Sequence, residues 1–129
     1  AQSFSLENKV AIITGGSRGI GRSIALGYAA QGAAVVITSR KAEACDAVVA
    51  EIEAAGGRAL AVPAHVGRTE DIDALVAATV EAFGGIDIIV NNAANSLMLG
   101  IGQITPEAWS KALDTNLRGP VFLVQAALP

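Results

Sequence analysis

Four short apolar runs punctuate this chain, and each is followed by a longer stretch with apolar residues at helical spacing. Val10 to Thr14 (VAIIT) is stopped by Gly15-Gly16. A continuous run of that kind suits a parallel strand buried on both faces. Gly19 to Gln31 then carries Ile20, Ile24, Leu26 and Tyr28 among alanines and closes at Gly32, which predicts a helix. Ala34 to Ser39 is a second buried strand. Ala42 to Ala55 is a second helix with Val48, Val49 and Ile52 on one side, stopped by Gly56-Gly57. Arg58 to Val62 is a third strand, closed by Pro63. Thr69 is placed to cap a third helix reaching about Phe83, with Glu70, Asp71 and Asp73 complementing its dipole. Gly84-Gly85 ends it, and Ile86 to Val90 is the fourth strand. Asn91 to Gln103 is a loop. Thr105-Pro106-Glu107 opens a last helical stretch with proline at its first position. That stretch runs through Trp109, Leu113 and Leu117 to a kink at Gly119-Pro120, and a second segment, Val121 to Leu128, follows.

Strands alternating with helices imply an α/β fold with a parallel sheet covered on both faces. Right-handed crossovers make it a Rossmann-type doubly wound sheet, strand order 3-2-1-4. Ligands of such sheets sit at the carboxyl ends of the strands, beside the switch between the first and fourth.

Composition adds a few exclusions. The 129 residues suffice for one domain, with 52% hydrophobic and 4% aromatic residues. The net charge is −3 with no basic stripe, so no nucleic acid is expected. No apolar run is long enough for a membrane span, so no membrane partner is expected. Ala1 to Lys9 has neither the basic nor the apolar stretch of a secretory signal. Cys45 is the only cysteine, which excludes an intrachain disulfide, suggests no metal cluster and fits a reducing cytoplasm. The only methionine is Met98 and the chain stops at Pro129 after an apolar helical pattern, so an incomplete chain is expected.

The segment Thr14-Gly15-Gly16-Ser17-Arg18-Gly19-Ile20-Gly21 joins the first strand to the first helix. Glycines there let the backbone turn sharply and approach a pyrophosphate, and the helix N-terminus adds N–H donors. The bland alternative is an ordinary glycine-rich turn. TGGSRGIG matches the TGxxxGxG motif of the short-chain dehydrogenases/reductases. Asn91-Asn92-Ala93-Ala94, after the fourth strand, resembles that family's NNAG motif. Asp114-Thr115-Asn116-Leu117-Arg118-Gly119 resembles the segment of its catalytic asparagine. The resemblance covers Leu6 to Pro129 and implies the N-terminal, cofactor-binding half of an oxidoreductase that moves hydride between a nicotinamide and a carbonyl or alcohol substrate, within a homo-oligomer.

What the resemblance implies can be placed residue by residue. Gly15, Ser17, Arg18, Gly19, Ile20 and Gly21 form the cofactor loop. An NAD enzyme usually carries an acid at the end of the second strand. Here stand Ser39, Arg40 and Lys41, so NADP(H) is favoured over NAD(H), with Arg40 and Arg18 gripping the 2′-phosphate and Ser39 donating its hydroxyl. The alternative for Arg40 and Lys41 is a solvated helix start, which the helix dipole disfavours. His65, where relatives often have Asp, and Val66 lie at the adenine. Asn92, Ala93 and Ala94 line the cofactor ribose, while Asn91 is open to a structural role tying strands together. Asn116 is the family's catalytic asparagine, holding a helix kink.

The family's Ser and YxxxK do not appear. Tyr28, the only tyrosine, sits in the first helix with Gly32 where lysine belongs. Ser96 comes too early for the family serine. The later strands are absent, so the fourth strand is expected to present an open edge and the last helix to lack its packing neighbour. Alone, the chain is expected to be marginally stable and inactive.

Overall fold

The computed structural model describes residues 4–128. Its strands are β1 (Val10–Thr14), β2 (Ala34–Thr38), β3 (Arg58–Ala61) and β4 (Ile88–Val90). The helices are α1 (Gly19–Ala30), α2 (Ala42–Ala54), α3 (Thr69–Phe83), α4 (Pro106–Leu113) and α5 (Gly119–Ala127). All strand pairs are parallel in the order β3-β2-β1-β4, as the pattern predicts. Register is set by pairs such as Ile12 with Val36 on one side and Ile12 with Ile89 on the other.

Side chains alternate across a strand, and that alternation divides the core into two layers. Ala11, Ile13, Val35 and Ile37 pack with Ala25, Cys45, Val48 and Ile52, so α1 and α2 cover one face. Ile12 and Val36 pack with Ile72, Leu75 and Leu123, so α3 and α5 cover the other. β1 and β2 are buried along their whole length, which explains their unbroken apolar sequences.

Several expected boundaries move. β4 begins at Ile88, not Ile86. Asp87 just before it accepts from Val10 N through Oδ2 at 2.8 Å and donates its own N–H to Val10 O at 2.9 Å. Thr69 is the first residue of α3, with Arg68 at the N-cap. The Thr69 hydroxyl accepts from Arg118 Nη2 at 3.0 Å. The expected kink at Gly119-Pro120 lies earlier, as a π-helical turn over Asp114–Arg118. Gly119 is helical, and it is glycine because a side chain there would collide with the Val66 carbonyl. The last helix does not lack a neighbour either, since Leu123 is fully buried against α3. Its outer side, with Val121 and Val124, is exposed, and β4 is the outermost of the four described strands on its side.

Candidate functional site

Three loops at the carboxyl ends of β1, β2 and β3 are laced together by backbone hydrogen bonds. Gly16 N donates to Thr38 O at 3.3 Å, and Ala64 N donates to Ser39 O at 2.9 Å. The fourth loop is tied in by one side chain. Thr14 Oγ1 accepts from Asn92 N and Ala93 N, each at 3.0 Å, and donates to Val90 O at 3.3 Å. Asn92 Nδ2 donates to Gly15 O at 3.1 Å. Between these loops lies a cleft of about 1000 Å³.

The glycine loop forms its floor. Gly15 has φ +63°, and a side chain on it would sit 2.9 Å from Asn92 Nδ2. Only glycine meets both demands. Ser17, Arg18, Gly19 and Ile20 line the cleft with Gly15, and α1 starts there, where first-turn N–H groups have no partner within the helix. Gly21 is the exception among the predicted loop residues. It is buried behind the loop, where a side chain would collide with Gly15 O and stand 2.5 Å from Asn92 Nδ2. Its part is to let α1 pack close to β4's loop.

The other predicted residues divide in the same way. Ser39, Arg40, His65, Val66, Asn92, Ala93 and Ala94 line the cleft with Arg18. Ser39 Oγ accepts from Lys41 N at 3.2 Å and touches Cys45 Sγ at 3.2 Å, so its hydroxyl is already engaged in its own turn. His65 Nδ1 accepts from Gly67 N at 3.0 Å, and His65 N donates to Asp71 Oδ2 at 2.8 Å. With Nδ1 accepting, Nε2 is the nitrogen free to face a ligand. Asn91 is exposed and makes no side-chain bond to the described residues; the amide that ties strand ends together is that of Asn92.

Asn116 stands in the π turn and outside the cleft lining. Its Oδ1 accepts from Asn95 N at 2.7 Å and its Nδ2 donates to Asn95 O at 2.8 Å. This two-pronged bond pins the loop after β4, so that Asn95 and Ser96 line the cleft beside Thr115. Lys41, noted in the sequence beside Arg40, also lines it, and so do two cations that were missed there, Arg68 and Lys111. For Arg68 a signal existed, a cation directly before a helix start, as at Arg40-Lys41.

The electrostatics follow from the lining. Five of the chain's nine Lys and Arg residues border the cleft, and none of its twelve Asp and Glu does. A chain of net charge −3 therefore concentrates positive potential at one concave place. Among the described residues no helix is long and apolar enough to cross a membrane, and no three or more His, Cys, Asp or Glu cluster as a metal site.

The sequence model of the short chain dehydrogenase family matches residues 9–129. The chain is 42% identical over 125 residues to the dehydrogenase/reductase SDR family member 4 of Homo sapiens, covering 96% of this chain and 45% of that protein. A dehydrogenase/reductase from Sinorhizobium meliloti 1021 superposes with TM-score 0.93 at 42% identity, covering 98% of this chain and 50% of the other. A short chain dehydrogenase from Burkholderia cenocepacia J2315, crystallised with NADP, superposes with TM-score 0.90 at 43% identity, covering 95% and 50%. The chain thus spans about half the length of the curated relatives it matches.

Proposed function

This chain belongs to the short-chain dehydrogenase family, and from that premise we propose that it is the NADP(H)-binding half of an oxidoreductase acting on a carbonyl or alcohol. One observation carries the cofactor assignment: the cleft at the β-strand ends is bordered by five cations and no carboxylate. An adenosine ribose with free hydroxyls favours an acidic partner, whereas a phosphorylated one favours guanidinium forks. The solved relative bound to NADP supports the same reading. Gly15, Ser17, Gly19, Ile20 and the start of α1 would hold the diphosphate, and Arg18 and Arg40 the 2′-phosphate. His65 and Val66 would border the adenine, and Asn92, Ala93 and Ala94 a ribose. When bound, the nicotinamide supplies hydride-transfer chemistry. Asn116 acts by holding Asn95 and with it the wall of the cleft.

A second reading is a dinucleotide-binding module without turnover of its own. Its support is Tyr28, the only tyrosine, which packs half-buried against the α1–α2 core. It is not placed as a proton donor at the cleft. The proton donor would then lie outside these 129 residues, and the exposed outer residues Trp109, Leu113, Leu117, Val121 and Val124 of the α4–α5 segment suit association, including a homo-oligomer. Cys45 as a buried free thiol suits the reducing cytoplasm.

Titration of the chain with NADPH and NADH tests the cofactor assignment. NADPH is expected to bind at least about tenfold more tightly, close to 1.4 kcal/mol. Arg40→Ala is expected to remove most of that difference, and equal affinities for the unaltered protein would overturn the assignment. Binding without oxidation of NADPH by a panel of aldehydes and ketones favours the module. Turnover regained on adding a fragment that carries a YxxxK helix favours the half-enzyme.

A further inference from the structure

His65 reaches the cleft with one hydrogen-bonding atom to spare. Its main-chain N–H donates to Asp71 Oδ2 at 2.8 Å, and its carbonyl accepts from Arg68 N at 2.9 Å. Its ring Nδ1 accepts from Gly67 N at 3.0 Å. The ring packs so closely on this turn that a Cβ on Gly67 would stand 2.8 Å from Cε1. A neutral imidazole whose Nδ1 accepts carries its proton on Nε2. Nε2 has no partner among the described residues. The turn therefore fixes what His65 offers a ligand, and that is a donor.

The sheet order says which part of a dinucleotide meets that donor. With the diphosphate on the glycine loop at the end of β1, one nucleoside extends toward β4 and the other toward β2 and β3. Arg40, after β2, marks the second as the one with the phosphorylated ribose. Its base then lies one strand farther out, at the loop after β3, which brings His65 and the buried apolar Val66 to the cleft. The far end of α4 closes on the same loop, since a Cβ on Gly67 would stand 3.4 Å from Asp114 Cβ. Thr115, next to Asp114, lines the cleft too, but its hydroxyl donates or accepts and favours no base.

The edge of adenine carries a donating 6-amino group beside accepting ring nitrogens. Hypoxanthine has an accepting oxygen in place of that amino group. A carboxylate at the base would select adenine, yet no Asp or Glu lines the cleft, and Asp71 Oδ2 is engaged by His65 N. We propose that His65 is a specificity-determining residue that reads the base as an acceptor through its Nε2–H, so that the hypoxanthine form of the dinucleotide phosphate binds as well as the adenine form. The inference rests on the NADP(H) reading. The donor meets a ring nitrogen in either base, or the oxygen of hypoxanthine, and so neither loses a bond.

The test titrates the protein with NADPH, NADH and the reduced hypoxanthine analogue of NADPH, following the dihydronicotinamide fluorescence that all three share. NADPH and the hypoxanthine analogue are expected to bind within about threefold of each other, less than one hydrogen bond's worth. His65→Asp gives Gly67 N one carboxylate oxygen and the base the other, and should favour adenine by at least about tenfold. His65→Asn keeps an oxygen for Gly67 N and an amide donor for the base, and should hold the ratio of the unaltered protein. A preference of the unaltered protein for adenine beyond about threefold overturns the proposal, even where NADPH still outbinds NADH and the cofactor reading stands. That arm needs no substitution, so it decides even if a variant fails to fold. A ratio unmoved by His65→Asp in a folded variant overturns it as well, because residue 65 then does not meet the base. Equal affinities of the unaltered protein for NADPH and NADH sink the underlying reading itself.

Discussion

The Thr14 hydroxyl joins the first strand to the loop after the fourth, and replacing it should cost more than its size suggests. Thr14→Val keeps the β-branched shape and removes only the oxygen. That leaves Ala93 N without a partner, while Asn92 N and Val90 O keep their bond to each other at 3.1 Å. A buried donor or acceptor left unpaired costs about 1–3 kcal/mol. Asn92 and Ala93 are half-buried, so water recovers part of that cost. With the smaller loss at Asn92 N and Val90 O, the sum is about 2–3 kcal/mol. Thr14→Ser keeps all three bonds and loses one methyl from a site 2% exposed, worth about 1 kcal/mol. The polar argument thus predicts an order that a packing argument reverses: valine is the worse substitution and serine the milder. Urea unfolding followed by far-UV circular dichroism reads both. With a slope of about 1–3 kcal/mol/M, Thr14→Val should lower the midpoint by about 1–2 M and Thr14→Ser by less than half of that. A valine variant within about 0.5 kcal/mol of the parent, or more stable than the serine variant, would refute the reasoning.

Gly21→Ala places a methyl against Gly15 O and Asn92 Nδ2 and should cost at least about 3 kcal/mol or abolish cooperative unfolding, read from the same curves. Asn116→Ala removes both bonds to Asn95; the loop after β4 should exchange its amide hydrogens at least about tenfold faster while global stability drops by only about 1 kcal/mol, since the pair is exposed. Thr38→Val should raise the stability of the ligand-free chain by about 1 kcal/mol, because the hydroxyl it deletes has no partner among the described residues. Arg22→Ala breaks an ion pair with Glu51 between half-exposed side chains, and a melting-temperature change above about 3 °C would contradict that modest role.

Much of this molecule is written in contiguous stretches of its sequence. The alternation of unbroken apolar runs with helical spacing determines four strands and their helices, because a strand buried on both faces has no room for polar residues. Crossover handedness then leaves the order 3-2-1-4, and the glycine loop marks the ligand end. Thr105 and Pro106 open α4 where the local signal puts them. What the sequence did not determine are partnerships across long separations. Thr14 meets Asn92 across 78 positions, and Asn116 meets Asn95 across 21. Asn91 and Asn92 are the same residue type side by side, and only the pleat of β4 decides which amide reaches Gly15. The convergence of Arg18, Lys41 and Arg68 is likewise invisible along the chain, because helix starts far apart in sequence become neighbours only when their strands pair in register. Periodicity belongs to a segment, whereas a hydrogen bond or a shared cleft depends on ångström-scale distances set by packing the sheet between its two helical layers.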